Sequence, residues 1–232
     1  MIPLRDNIPS FRRPYINYLL ITATVLIFLV EMASGPYLQK IVDNFGFVPR
    51  RFIGELWDGF QPLPEVFLPL LTSIFLHGGW LHLIGNMWFL YIFGDNVEDA
   101  LGHGRYLLLY TASGMGANFI YLLFSPFSPL PLVGASGAIA GIMGAYFFLF
   151  PGARILTLVP IFFFPTFWEL PAYIFLGFWF FLQFLFGTFS SIGPPTATGG
   201  VAWWAHVGGF LVGVLLLHLL APQRVRLKFR RA

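Results

Sequence analysis

Residues 134–150 read GASGAIAGIMGAYFFLF. Nothing in that stretch is charged. At 1.5 Å per residue, a helix over Gly134–Phe150 is nearly long enough to cross the ~30 Å hydrocarbon core of a bilayer. Gly137, Gly141 and Ala145 are spaced four apart. Such a small-residue ridge lets a second helix backbone come close. Ser136 stands just ahead of the ridge. Ala205, Gly209 and Gly213 form a matching ridge within Val201–Leu220, and His206 sits inside it. If the two ridges pack, Ser136 and His206 come within hydrogen-bond reach between two membrane helices.

The rest of the chain has the same character. Hydrophobic residues make up 57% and charged residues 10% of the 232 positions, and mean hydropathy is +0.77. A soluble domain carries roughly 25% charged residues. A water-facing surface of this size cannot be covered here, so a soluble enzyme, a disordered tail and a coiled coil are excluded. Six apolar stretches stand out: Tyr15–Met32, Gly78–Phe93, Tyr106–Phe124, Gly134–Phe150, Leu170–Phe186 and Val201–Leu220. The expected fold is an all-α, six-transmembrane-helix bundle, read as one membrane domain over residues 1–232. The second helix is expected to run on through Asp95 to Leu101. Between spans, Ile155–Phe167 is apolar but contains Pro160 and Pro165, and reads as a membrane-surface connector. The one long insertion, Ala33–Ser73, reads as an interfacial outer loop that does not fold by itself. Residues 221–232 read as a basic cytoplasmic tail.

The basic residues set the sidedness. With both termini inside, the inner face holds Arg5, Arg12, Arg13, Arg105, Arg154, Arg224, Arg226, Lys228, Arg230 and Arg231, ten in all. The outer face holds three: Lys40, Arg50 and Arg51. That bias follows the positive-inside rule, and an even number of spans agrees with it. Basic residues at both termini flank apolar spans, which is a topology signal and not a nucleic-acid surface. The N-terminus shows no signal-peptidase pattern.

Polar groups within membrane spans are costly and commonly functional. The prominent ones are His82 and Asn86, four apart on one helix face, then Ser136 and His206. Spans two, four and six all run from outside to inside. Counting the helical rise from the outer ends puts Ser136 about 3–6 Å deep, the two histidines about 6–8 Å and Asn86 about 12 Å. Three helices therefore bring a hydroxyl, two imidazoles and an amide to one shallow layer. Together they offer a nucleophile, a base and donors for an oxyanion. No carboxylate is at hand to orient a histidine, so a Ser136–His206 pair would be a dyad. His77 reads as a support for the loop entering span two, and His103 and His218 read as interfacial. A metalloprotease His-Glu-x-x-His motif is absent, and Asp95 and Asp99 have no acidic partner in another span. With no cysteine in the chain, thiolate chemistry and disulfides are excluded.

At these residues the sequence resembles the rhomboid intramembrane serine proteases. The segments that carry the likeness are Leu76–Asn86 (LHGGWLHLIGN), Gly94–Gly104 (GDNVEDALGHG), Gly134–Gly144 (GASGAIAGIMG) and Ala202–Gly213 (AWWAHVGGFLVG). The resemblance implies a serine endopeptidase without cofactor or metal. Ser136 would be the nucleophile and His206 the general base. His82, Asn86 and the Ser136 backbone N–H would form the oxyanion hole, and Glu98 would be a structural acid. It implies single-span membrane proteins as substrates, a plasma (inner) membrane location, multi-pass with both termini cytoplasmic, and no nucleic-acid partner. Two positions depart from the family pattern. The Trp-Arg pair of the first outer loop is replaced by Arg50-Arg51 and a separate Trp57. The tyrosine that stacks on the catalytic histidine is replaced by Ala140, and Phe210 is the candidate substitute. The alternatives are an inactive rhomboid-like protein that binds membrane clients and a small transporter.

Overall fold

The computed structural model describes residues 1–162, 164–192 and 201–221. Its helices are α1 (Tyr15–Ala33), α2 (Leu38–Phe45), α3 (Pro49–Asp58), α4 (Leu63–Thr72), α5 (Trp80–Leu101), α6 (His103–Phe124), α7 (Ser136–Leu149), α8 (Ala172–Ile192) and α9 (Trp203–Leu220). Four of the six expected spans, α1, α6, α8 and α9, are long and apolar enough to cross a bilayer. α5 is as long as α6 but ends in Asp95, Glu98 and Asp99. α7 has 14 residues, a rise of about 21 Å. The chain is thus a mostly helical, multi-pass membrane protein.

The centre of the fold is α7, buried at every position from Gly137 to Tyr146. Between helices already surrounded by lipid the hydrophobic effect supplies little, and close van der Waals packing supplies the attraction. The two ridges meet as their spacing predicts. A Cβ added at Gly209 would lie 2.0 Å from the Gly137 carbonyl oxygen, and one at Gly213 would lie 2.2 Å from that of Gly141. On its other side α7 packs against α6, where a Cβ at Gly141 would meet Ser113 at 2.3 Å. Phe93, Tyr106, Tyr110, Ile142 and Tyr146 complete the buried core.

Glu98 carries out a structural task near the C-terminal end of α5. Its carboxylate accepts the backbone N–H groups of Ile16 (3.0 Å) and Asn17 (2.7 Å). Those are orphan donors in the first turn of α1, and an acid there also favours the positive end of the helix dipole. Asp95 and Asp99 hold Ser10 and the Phe11 N–H in the segment just before.

One expectation about architecture is corrected. The fold is mostly helical and not all-α, because the expected connector Ile155–Phe167 is paired β-structure. It lies within an antiparallel hairpin, β2 (Arg154–Ile161) and β3 (Phe164–Pro171), to which β1 (Ile2–Asp6) adds in the order β1-β2-β3. The prolines that forbid a helix are tolerated at these strand positions. Pairing with β1 reaches only Leu158, so Pro160 lies beyond it, while Pro165 and Pro171 are on the edge strand β3. Trp88 of α5 donates to the Pro3 carbonyl at 2.6 Å and ties the sheet to the bundle.

Ala33–Ser73, expected as a loop that does not fold by itself, contains three helices, α2, α3 and α4. Their apolar cluster of Phe47, Phe52, Val66 and Leu70 takes in a residue of the bundle, Leu122 of α6. Arg51 provides the anchoring. Its guanidinium donates to the carbonyls of Asp43 and Gly46 at the end of α2 and faces Glu55 at 3.7 Å. Trp57 is exposed. The expected tail from residue 222 and the loop residues 193–200 lie outside the described residues.

Candidate functional site

Ser136 is the first residue of α7. The opening N–H groups of a helix have no intrahelical acceptor and point outward. Here they face a cavity of about 590 Å³, lined by Ser136, His206, His82, Asn86, Trp179 and Met143 among others. All four residues singled out from the sequence therefore line one cavity. Ser136 Oγ lies 2.8 Å from His206 Nε2. This contact follows directly from the ridge packing, because Ser136 and Ala205 flank the point where α7 and α9 backbones touch.

The approach to Ser136 is stapled to the α2–α4 region. Phe47 and Leu132 exchange backbone hydrogen bonds of 3.1 and 2.7 Å, and the Gly134 N–H donates to Ser73 at 2.9 Å. Asn118 of α6 donates to Leu70 O (2.9 Å) and Ser73 Oγ (2.8 Å). The α2–α4 region thus fixes the strand that delivers the serine. Gly134 has φ +127°, and any Cβ there would lie 2.6 Å from the His82 ring. Only glycine fits, both for backbone strain and for space.

His82 is on the exposed side of the cavity. Asn86 is buried and donates through Nδ2 to His77 Nε2 at 3.0 Å. His77 in turn is held by its Nδ1 toward Phe75 O (3.2 Å), and its backbone N–H is accepted by Glu31 of α1. Burial first, and then neighbouring His82, push the His77 imidazole down to a pKa of about 4. It is neutral near pH 7, so its Nε2 can accept. His77 was expected to support only its own loop. It also fixes one amide hydrogen of Asn86, leaving the other for the cavity.

Three contacts on His206 were not foreseen. Gln183 of α8, also buried, places Oε1 2.8 Å from His206 Nδ1. Trp179, one turn earlier on α8, lies with its ring centroid 6.0 Å from the imidazole, and Trp203 is at 6.3 Å. Phe210, the sequence-based candidate for that support, packs behind Trp179 (6.4 Å) and against Phe180 (4.7 Å). The available signal was Gln183 itself, an amide within an apolar span. Asn17, Ser113 and Asn118 are likewise buried polar groups within spans, so the polar inventory is longer than the sequence reading held. Among the described residues, no three His, Asp or Glu side chains gather as a metal site.

A bundle of apolar helices with a serine–histidine contact lining a cavity defines a multi-pass membrane protein with a candidate site between its helices. Comparison with known proteins gives the lineage. A family profile for the Rhomboid domain matches residues 64–223. The chain is 30% identical over 242 residues to RHOMBOID-like protein 6, mitochondrial, of Arabidopsis thaliana, covering 92% of this chain and 71% of that one. It is 36% identical over 140 residues to Rhomboid protease GluP of Bacillus subtilis, covering 59% of this chain and 25% of that protein. It is 31% identical over 153 residues to Rhomboid protein 1, mitochondrial, of Saccharomyces cerevisiae, covering 64% and 40% respectively. The chain belongs to the rhomboid family. It spans only a quarter of the length of the Bacillus GluP protein.

Proposed function

We propose that the chain is an intramembrane serine endopeptidase with six membrane-crossing helices, cutting single-span membrane proteins near the outer face. The observation that carries the reading is the 2.8 Å contact between Ser136 Oγ and His206 Nε2 at a helix N-terminus in a cavity. In attack, the Oγ–C bond forms as His206 Nε2 takes the hydroxyl proton. The developing oxyanion is met by the Ser136 N–H, the free Asn86 amide hydrogen and His82, donors of the kind that stabilise such charge. His206 then passes the proton to the departing amine. Water attacks the acyl-enzyme with His206 again as base, releasing the new carboxylate and Ser136.

A helical peptide bond is shielded and its carbonyl is already hydrogen-bonded, so the substrate must unwind to be cut. Gly and Pro weaken a helix and make unwinding easier. Gly134, Ala135, Gly137 and Ala140 leave limited but real space beside the nucleophile, which favours cleavage after a small residue such as Ala. The chain would sit in the plasma membrane with both termini cytoplasmic, and the ten-to-three basic bias supports that orientation. The rival reading, an inactive rhomboid-like binder, gives no reason for a base in contact with a serine hydroxyl.

The test is cleavage of a tagged single-span substrate by purified protein in liposomes, with the cut mapped by mass spectrometry. A cut near the outer end, slowed when Gly and Pro are replaced by Leu, supports the reading. A cut near the inner end, or equal cutting by Ser136→Ala, contradicts it.

A further inference from the structure

Gln183 is the group behind His206 that no sequence motif announced. Its Oε1 lies 2.8 Å from Nδ1, and its Nε2 is 3.4 Å from the Trp179 carbonyl. A carbonyl can only accept, so the NH₂ end of the amide belongs toward Trp179 and the oxygen belongs toward the imidazole. An amide oxygen can only accept as well. Nδ1 must therefore carry the proton, and the neutral ring presents the Nε2 lone pair to Ser136. The opposite amide orientation would deprotonate Nδ1, protonate Nε2 and block the base. The contact thus selects the one neutral tautomer that can accept from a serine hydroxyl.

We propose that Gln183 is the positioning residue of this site, holding His206 in its reactive tautomer and orientation from α8. The inference rests on the reading of Ser136 and His206 as a dyad. It completes the pair in the manner of an acid behind a catalytic histidine, with a neutral group in its place. Neutrality suits the setting, because an ionised carboxylate within a span is expensive. Trp179 and Gln183 are one turn apart on α8, so the same helix face supplies both a flanking ring and the acceptor. The support expected four residues after Ser136, where Ala140 stands, is therefore delivered by a different helix. A consequence is that any displacement of α8 from α9 would disarm the base.

The experiment compares wild type, Ser136→Ala, Gln183→Leu and Gln183→Glu in one liposome assay, with kcat and KM resolved and Tm measured for each. Leu keeps the bulk but cannot accept. Glu presents an oxygen to Nδ1–H whether or not it is ionised. Gln183→Leu is expected to lower kcat by about 10–100-fold, the order of magnitude seen when the hydrogen-bond partner orienting a metal-bound histidine is removed, with KM changed by less than roughly twofold, since a lost transition-state interaction spares binding. Gln183→Glu is expected to return kcat to within a few-fold of wild type. Gln183→Leu cutting at the wild-type rate, or a loss seen only in KM, overturns the inference while leaving the dyad standing. So does Gln183→Glu being as slow as Gln183→Leu. If wild type cuts nothing, or Ser136→Ala cuts equally well, the dyad reading fails and the inference falls with it.

Discussion

At the scale of single residues, the site has a buried layer behind the cavity as well as the groups that line it. Asn86 is held by His77, and His206 by Gln183, so both reacting-side groups have partners in the next shell of side chains. His206→Ala is expected to abolish cleavage while the protein remains folded, checked by circular dichroism beside the activity assay, since losing the base also loses the attack. Asn86→Ala should lower kcat by about 10²–10³ with little change in KM, as removal of one oxyanion donor does elsewhere. A change confined to thermal stability would make Asn86 a helix-to-helix tie and nothing more. That Ser136, His206, His82 and Asn86 share one cavity was legible in the sequence, because their positions could be counted from span ends. Gln183 was not, since a single amide in an apolar span has no partner spacing to mark it, and its partner is on another helix.

At the scale of elements, the α7–α9 contact is the joint that brings serine to histidine. Replacing Gly209 by Leu puts a side chain where even a Cβ would be 2.0 Å from the Gly137 oxygen. The helices must separate, so both Tm and activity should fall, and a variant with wild-type Tm would contradict the packing described. This joint was readable, because small residues four apart are a spacing signal. The sheet was not, since Pro160 and Pro165 argue against a helix without arguing for a strand, and the pairing that makes β2 a strand comes from the distant residues of β1. That sheet also contains a titrating group. Asp6 is in contact with the Tyr146 hydroxyl, and burial above all raises its carboxyl to a pKa of about 6 from 3.8. The folded state then binds the proton more tightly than the unfolded one. The stability this gives is complete below about 3.8 and is lost as pH rises through about 6. Relative to wild type, Asp6→Asn should therefore gain in Tm as pH goes from 4 to 7, measured by thermal melts in one detergent. A difference independent of pH would contradict the assignment.

At the scale of the whole molecule, several separate elements converge on the Ser136–His206 contact. Helices α2–α4 staple the segment that delivers Ser136. The acidic end of α5 fixes the start of α1, and α8 closes on the histidine. The class of protein was legible from composition alone, because 10% charged residues cannot clothe a soluble surface of this length. The folding of Ala33–Ser73 into three helices was not, because its core closes only with Leu122 from α6. The central claim is that Ser136 is a nucleophile activated by His206, and covalent labelling tests it most directly. Purified protein in liposomes would be treated with a fluorophosphonate and the modified peptide sequenced by mass spectrometry. The account predicts labelling at Ser136 that disappears in Ser136→Ala and His206→Ala. Labelling that persists in either variant, or wild-type protein that takes no label at Ser136, would contradict it.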